Sequence, residues 1–327
     1  MPKELTPEAK ATLKKRTIFA LIMLAVFIPC LVLGGYFYLI LVVLVIGAAT
    51  YEIAKAPSHK LSWLIWLVTF IMMYTLVFWI MLKTNIVKDW KDFDINTSFT
   101  EIGLSPIALA TMIGIYFFVV IIKSDEFTVL DACYLIAMTL LLALGFQACL
   151  CVRYLPFEHF SQMLGFEINT PVFKYAQSMF LMIYLLLAIL FNDIGAYLTG
   201  ILFGKHKINP KISPKKTWEG FVGGIIISLA LSLSFGLAVA ACDLPMLPIF
   251  DLNGWYWILL ISVILPLVGN LGDFAFSAIK RQFNKKDYSN VLGPHGGILD
   301  RIDSTLFGAL ALVILIIFIK NSWDFLQ

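Results

Sequence analysis

The stretch GPHGGILDRIDSTLFGALALVILIIFIK, residues 293–320, joins a polar cluster directly to a long apolar run. The first twelve residues hold a histidine, two adjacent glycines, two aspartates and an arginine. Residues 305–320, by contrast, have the apolar composition of a helix inside a bilayer, which needs about 20 such residues to cross. The stretch therefore predicts a membrane helix whose beginning carries charged groups at the edge of the bilayer.

The composition of the whole chain agrees with this prediction. Of its 327 residues, 60% are hydrophobic and 14% are charged, whereas a soluble domain is roughly half apolar and about a quarter charged. We therefore predict an all-α, polytopic integral membrane protein. The formal net charge of +3 is too small to indicate nucleic acid as a partner. The five cysteines form no CxxC or Cys/His spacing, which argues against a zinc site and favours small buried apolar side chains.

Apolar segments recur along the chain, and the charges between them indicate an orientation. With the N-terminus in the cytoplasm, 18 Lys and Arg residues fall on the inner side and 6 on the outer side, in agreement with the positive-inside rule. A tight turn is all that separates the first two segments, and the short eighth segment can continue as a broken or tilted helix. We predict about nine transmembrane helices, at residues 17–35, 36–53, 61–82, 105–122, 129–150, 174–192, 220–241, 255–270 and 305–320.

The distribution of polar residues divides the chain into two regions. Residues 1–190 are N-terminal transmembrane helices joined by unremarkable loops, and residues 191–327 form a C-terminal transmembrane region with polar loops that face the cytoplasm. Within the second region the polar residues cluster at 192–219 and 269–304. We therefore expect the second region to be the catalytic one.

The first polar cluster begins at Asp193, where an apolar helix is predicted to end. A carboxylate at membrane depth usually faces a partner, an ion or water, whereas one at the interface can simply mark the end of a helix. The glycines that follow form two GxxxG spacings, Gly200/Gly204 and Gly220/Gly224. Such spacings are typical of closely packed membrane helices.

A basic loop, KHKINPKISPKKTWEG, occupies residues 205–220. It is either a solvated cytoplasmic loop or a surface that binds lipid headgroups or nucleotide phosphates. The hydroxyls of Ser213 and Thr217, together with the ammonium groups of Lys215 and Lys216, favour phosphate binding. No GxxxxGK[ST] motif is present, which excludes an ordinary P-loop.

The second polar cluster places acids and glycines around the start of the last helix. Asp300 and Asp303 are three residues apart and share a helical face, where either Arg301 or a divalent metal can offset their repulsion. Gly296 and Gly297 let the backbone approach an anion and point N–H groups at it. Carboxylates next to phosphates suit Mg²⁺, so the cluster favours metal-assisted displacement at phosphorus. An ion-pair network at a helix end is the alternative.

Residues 277–303, SAIKRQFNKKDYSNVLGPHGGILDRID, resemble the signature of phosphatidate cytidylyltransferases, also called CDP-diacylglycerol synthases. The resemblance is strong over residues 192–308 and rests on topology alone before them. The chain departs from the family at Ile194, where Ser or Thr is usual, and at Gly293-Pro294, which reverses the commoner order. The matching residues are Ser277, Lys280, Arg281, Lys286, Asp287, His295, Gly296, Gly297, Asp300, Arg301 and Asp303.

The resemblance implies a reaction and a role for each of these residues. Enzymes of this family condense CTP with phosphatidic acid, a membrane lipid, and release pyrophosphate. The resemblance also implies Mg²⁺ as the cofactor, and a second cation is an open alternative. Expected metal ligands are Asp273, Asp300 and Asp303, with Asp193 a weaker candidate; Lys280, Arg281 and His295 complete the catalytic set by binding phosphate or, for His295, by fixing the turn. Nucleotide- and phosphate-binding residues would be Ser213, Lys215, Lys216, Thr217, Lys286, Asp287, Gly296, Gly297 and Arg301.

Other functions stay open at this point. A CTP-dependent polyprenol kinase would use a similar metal site but attack the γ-phosphorus. A transporter would line a pathway with its acids, yet here the acids crowd one edge of the membrane instead of following the spans. The family resemblance implies CTP and phosphatidic acid as partners. The compact N-terminus and the pair Gly272-Asp273 favour a bacterial inner membrane, and the distribution of Lys and Arg favours a site that faces the cytoplasm. A homodimer stays an open alternative to a monomer.

Overall fold

The computed structural model describes residues 21–57, 61–79, 106–123, 125–154, 171–247, 250–293 and 296–321. Within these ranges the chain forms nine α-helices and one short β-hairpin. In chain order the elements are α1 Leu21–Leu33, α2 Gly35–Ala54, α3 Trp63–Val77, α4 Pro106–Ile122, α5 Val129–Tyr154, α6 Pro171–Phe203, β1 Lys207–Asn209, β2 Ser213–Thr217, α7 Trp218–Ala241, α8 Trp255–Gln282 and α9 Leu299–Asn321.

The described helices overlap all nine apolar segments predicted from the sequence. Six of them, α2 and α5 to α9, are long and apolar enough to cross a membrane, and α1, α3 and α4 are shorter apolar helices. The chain is therefore a predominantly helical membrane protein. The predicted division at residue 190 falls inside α6 and stays a prediction.

Three helices extend further than the hydropathy pattern indicates. The prediction that Asp193 marks a helix end was wrong, because residues 194–203 are again mostly apolar and α6 continues to Phe203. The eighth segment passes through Pro266 without ending and reaches Gln282. The last helix begins at Leu299, six residues before the predicted boundary. As a result, Asp193 and Asp273 lie within helices and not at or beyond their ends, whereas Asp300 and Asp303 lie on a helix as predicted.

Small residues bring α6 and α7 into close contact, as the two GxxxG spacings predicted. A Cβ atom added to Gly220 would lie 2.7 Å from the carbonyl oxygen of Ala196, and one added to Gly224 would lie 2.6 Å from that of Asn192. Deeper in the pair, the Ser228 hydroxyl donates to the Ala188 carbonyl at 2.6 Å. The two backbones therefore approach at distances that larger side chains would prevent.

The basic loop between these helices folds into a hairpin. Strands β1 and β2 are antiparallel, with Lys207 opposite Thr217 and Asn209 opposite Ser213. The Thr217 hydroxyl accepts a hydrogen bond from the Gly220 N–H at 3.2 Å and so caps the start of α7. The hairpin is thereby fixed beside the end of α6 and the start of α7.

Candidate active site at the helix ends

Three aspartates from three different helices face a common region. Asp193 of α6, Asp273 of α8 and Asp303 of α9 each lie within electrostatic range of the other two. Asp303 is 6% exposed, Asp273 is partly buried and Asp193 is exposed. Like charges that influence one another repel, so the arrangement favours bound cations.

A pair of asparagines holds two of these helices in register. The side-chain amide of Asn270 on α8 donates to the side-chain oxygen of Asn192 on α6 at 3.2 Å, and both residues are buried. Asn192 precedes Asp193 directly, and Asn270 lies three residues before Asp273, on the same side of its helix. This buried hydrogen bond therefore fixes where the carboxylates of α6 and α8 stand relative to each other.

Lysines compensate part of the negative charge. Lys216 of β2 forms an ion pair with Asp273, and its ammonium lies 4.2 Å from the centre of the Phe274 ring, a cation–π contact. The Ser277 hydroxyl donates to the other oxygen of Asp273 at 3.3 Å. Arg301 of α9 lies within electrostatic range of Asp193. The hairpin thus brings the ammonium group of Lys216 next to Asp273 of α8.

Asp300 has surroundings that differ from those of Asp303. Its Oδ1 accepts from Lys280 Nζ at 2.7 Å, and its Oδ2 accepts from the N–H groups of Tyr288 and Gly297, both at 3.0 Å. Among the described residues, Asp303 accepts only from its neighbour Ser304, through Oδ1. Asp300 therefore accepts three hydrogen bonds from the protein, whereas Oδ2 of Asp303 accepts none from the described residues.

The predicted glycines are present at the expected turn but serve the chain itself. Gly296 adopts a positive φ of 82°, a conformation that favours glycine. The N–H of Gly297 donates to Asp300, and that of Gly296 donates to the Gly293 carbonyl at 3.3 Å. Both N–H groups thus have partners within the chain, and the prediction that they bind a phosphate stays a prediction. His295 and Pro294 lie outside the described residues, so the prediction for His295 stays as it was.

The remaining predicted residues lie on the rim of the site. Arg281 donates to the carbonyls of Ile212 at 3.2 Å and Lys285 at 2.8 Å, which ties the hairpin turn to the end of α8. Thr217 is occupied as the cap of α7. The side chains of Lys215, Lys286 and Asp287 are exposed, and Ser213 is partly buried. Their roles in binding a nucleotide stay predictions.

Two residues near the site were missed in the sequence. Tyr288 lies under Lys280, whose ammonium is 5.7 Å from the centre of its ring, and burial raises the pKa of its phenol well above the usual value. Glu52 of α2 reaches the start of α9, where it accepts three hydrogen bonds. Tyr288 gave no signal in the sequence. Glu52 did, because it is the one acidic residue in the apolar segment 36–53, and such residues are usually functional.

The donor set fits a metal that is bound together with substrate. Among the described side chains, no three His, Cys, Asp or Glu residues form a ready-made metal site. Mg²⁺ ordinarily takes one or two carboxylates and completes its coordination with water and substrate phosphates. Asp273 and Asp303 provide two such carboxylates, and Asp193 lies nearby.

Comparison with known proteins identifies the family. The sequence profile of the Cytidylyltransferase family matches residues 14–319. The chain belongs to this family. The resemblance read from residues 277–303 is therefore confirmed, and the match extends through the N-terminal helices, where topology alone had suggested it.

Relatives of this member of the Cytidylyltransferase family are found in bacteria. A protein named phosphatidate cytidylyltransferase in Staphylococcus haemolyticus (strain JCSC1435) is 30% identical over 93% of the chain and 99% of the relative. One with the same name in Staphylococcus aureus (strain COL) is 31% identical over the same shares of both chains. The chain and these relatives are thus similar along nearly their whole lengths.

Proposed function

We propose that the protein condenses CTP with phosphatidic acid to give CDP-diacylglycerol and pyrophosphate. A phosphate oxygen of the lipid attacks the α-phosphorus of CTP, and the bond from that phosphorus to the oxygen bridging to the β-phosphorus breaks. Pyrophosphate leaves with the electron pair of that bond. The observation that carries the proposal is that Asp193, Asp273 and Asp303, from three apolar helices, lie near one another and near lysines, in a chain of this family.

The proposed cofactor is Mg²⁺, held by Asp273 and Asp303 with Asp193 as a further candidate. When bound, it would offset the charge of the nucleotide phosphates and of the transition state. Asp300, which the sequence placed among the ligands, is assigned instead to holding Lys280 and the backbone around it. A second cation stays an alternative, since three acids can supply ligands for two ions.

Lys216 and Lys280 are proposed to change partners when the substrates bind. Each is paired with a carboxylate, Lys216 with Asp273 and Lys280 with Asp300. Two polyanionic substrates add far more negative charge than these acids carry, so the ammonium groups would turn toward the phosphates when the substrates bind. Such donors stabilise the charge that develops on the α-phosphate oxygens. No general base is required, because the lipid phosphate is ionised at neutral pH.

The proposed orientation has nine spans, the N-terminus inside and the site at the cytoplasmic face of a bacterial inner membrane. The distribution of Lys and Arg supports this orientation, and the relatives come from bacteria. A cytoplasmic site also gives access to CTP. The three acids come from one chain, so the chemistry needs no second copy; the homodimer stays a prediction that light scattering in detergent can test.

Purified protein in detergent tests the proposed reaction. Incubated with CTP, Mg²⁺ and phosphatidic acid, it should form CDP-lipid and pyrophosphate in equal amounts. Diacylglycerol, which lacks the attacking phosphate, should give no product, and a polyprenol should give none either. Phosphorylation of the polyprenol with release of CDP would instead support the kinase and contradict the proposal.

A further inference from the structure

Glu52 is a buried carboxylate far from the signature residues in the sequence. It lies near the end of α2, is 0% exposed, and accepts hydrogen bonds from the Ser289 hydroxyl at 2.6 Å and from the N–H groups of Ile298 at 2.7 Å and Leu299 at 2.8 Å. Burying a carboxylate is costly unless donors satisfy it. Here the donors are neutral and include free N–H groups at the start of α9, where negative charge is favourable.

Glu52 and Asp300 accept hydrogen bonds from the same two segments, residues 288–289 and 297–298. Asp300 accepts from the N–H groups of Tyr288 and Gly297. Glu52 accepts from the next residue along in each segment, Ser289 and Ile298. The two carboxylates therefore bind neighbouring residues of one loop. Glu52 does so from α2, and Asp300 does so from the first turn of α9.

The contact with Glu52 also explains the second glycine of the signature. A Cβ atom added to Gly297 would lie 2.7 Å from Oε1 and 2.8 Å from Oε2 of Glu52. Gly297 has no positive φ to account for its identity. The glycine is thus needed because the carboxylate from α2 packs directly on the backbone, which leaves no space for a side chain.

A second contact joins the same parts of the chain. Lys285, in the loop after α8, donates from Nζ to the carbonyl of Lys55 at 2.7 Å. Lys55 follows the last residue of α2. The end of α2 is therefore attached to the loop between α8 and α9 at two places, one near each end of that loop.

We propose that Glu52 is a positioning residue for the transfer reaction, acting from the N-terminal helices on the start of α9. By fixing Ser289, Ile298 and Leu299, it holds Asp300 against Lys280 and sets the direction in which Asp303 faces Asp273. Glu52 itself touches neither substrate. This inference rests on the proposed function and assigns a part in it to α2.

The test compares Glu52→Gln with Thr50→Val in full-length protein. Gln keeps the size of the side chain but turns an N–H₂ group toward backbone donors. Thr50 lies on the same helix and is equally buried, and within the described residues its hydroxyl donates to the Ile46 carbonyl of α2 at 2.7 Å. Glu52→Gln should lower kcat by about ten- to a hundredfold, the effect of small misplacements in a site, and raise the Mg²⁺ concentration for half-maximal rate. The KM for phosphatidic acid and the rates of Thr50→Val should stay near wild type.

Gly297→Ala should reproduce the defect, and combining it with Glu52→Gln should add little, since both break one contact. Ser289→Ala, which removes one donor, serves if Glu52→Gln does not fold, and should give a smaller loss of kcat. Wild-type kcat in Glu52→Gln, or an equal loss in Thr50→Val, would overturn the inference.

Hydrogen–deuterium exchange separates this inference from the proposed function. In Glu52→Gln, the peptide covering residues 288–299 should exchange faster, whereas Thr50→Val should leave it unchanged. If the wild type makes no CDP-lipid, the proposed function fails. If the wild type is active but Glu52→Gln changes neither exchange nor kcat, the positioning role fails.

Discussion

Asp273, Asp300 and Asp303 look equivalent in the sequence, yet their surroundings give them different roles. Asp300 has both oxygens occupied by a lysine and two backbone N–H groups. Asp273 is held by one lysine and one hydroxyl, and Asp303 by its neighbour Ser304. The spacing of the acids was visible in the sequence. Which of them accepts the most hydrogen bonds from the protein was not, because Lys280 and Tyr288 reach Asp300 through the folding of a loop.

Asp273→Asn and Asp303→Asn should abolish most of the turnover without unfolding the protein. Each change removes a proposed Mg²⁺ ligand but also relieves repulsion among the carboxylates. We expect the rate of CDP-lipid formation to fall by about 10²–10³-fold, as when one charge-stabilising group is removed. Thermal unfolding in detergent should be unchanged or shifted upward. Wild-type activity in both variants would contradict the metal assignment.

Asp300→Asn is expected to behave differently, since it weakens a buried network of three hydrogen bonds. Its midpoint of thermal unfolding should fall clearly below that of Asp273→Asn, and its residual activity should be the higher of the two when measured per folded molecule. If Asp300→Asn keeps its full thermal stability while losing all turnover, Asp300 is a metal ligand and the distinction drawn above is wrong.

The two lysine pairs should differ in their contribution to stability. The side chains of Lys280 and Asp300 are 10% and 6% exposed, whereas those of Lys216 and Asp273 are both 27% exposed. Breaking a buried pair costs about 3–5 kcal/mol, so Lys280→Met should lower the unfolding midpoint far more than Lys216→Met. Both should lose activity, since both ammonium groups are proposed to bind phosphate. A comparison of circular dichroism melts in one detergent tests this, and equal melts would contradict it.

At the scale of elements, the helices were predictable and their ends were not. Hydropathy located every described helix, because about 20 apolar residues are an unambiguous signal. It stopped at the first polar residue, so it ended α6 at Asp193, although that helix continues to Phe203. It also began the last apolar segment after Asp303, and only the spacing of Asp300 and Asp303 indicated that the helix begins earlier. Backbone hydrogen bonds inside a helix tolerate a carboxylate that has cations nearby, and a hydropathy average does not register those cations.

The contact between α6 and α7 can be tested with a matched pair of glycines. Gly220→Ala should destabilise the protein, because its Cβ would lie 2.7 Å from the Ala196 carbonyl oxygen; overpacking of this kind costs about 1–3 kcal/mol. Gly114→Ala in α4 meets nothing within 4 Å and should be neutral or stabilising, since alanine favours helix. Thermal unfolding of the two variants gives the comparison. Equal midpoints would show that the two helices are not tightly packed.

At the scale of the whole molecule, the end of α2 contacts the loop between α8 and α9 and the start of α9. Glu52 contacts residues 237 to 247 positions away in the sequence. No local pattern predicts such a pair, and the resemblance to the family was strong only over residues 192–308. Glu52, as the single acidic residue in its apolar segment, was the available signal in the sequence. That signal did not indicate which residues Glu52 contacts.

Cysteine labelling tests the proposed orientation of the whole chain. In a variant without the five native cysteines, Lys207→Cys in the hairpin should resist a membrane-impermeant maleimide in intact spheroplasts. It should react in inside-out vesicles, because the hairpin is proposed to face the cytoplasm. Labelling in intact spheroplasts would reverse the orientation and place the site outside.

The fate of labelled CTP tests the central claim most directly. The wild type, given phosphatidic acid and Mg²⁺, should transfer the α-phosphorus label of CTP into the lipid and release the γ-phosphorus label as pyrophosphate. Asp273→Asn should transfer neither. Appearance of the γ-phosphorus label in the lipid, or of no CTP-derived label there at all, would contradict the assignment of this site to cytidylyl transfer.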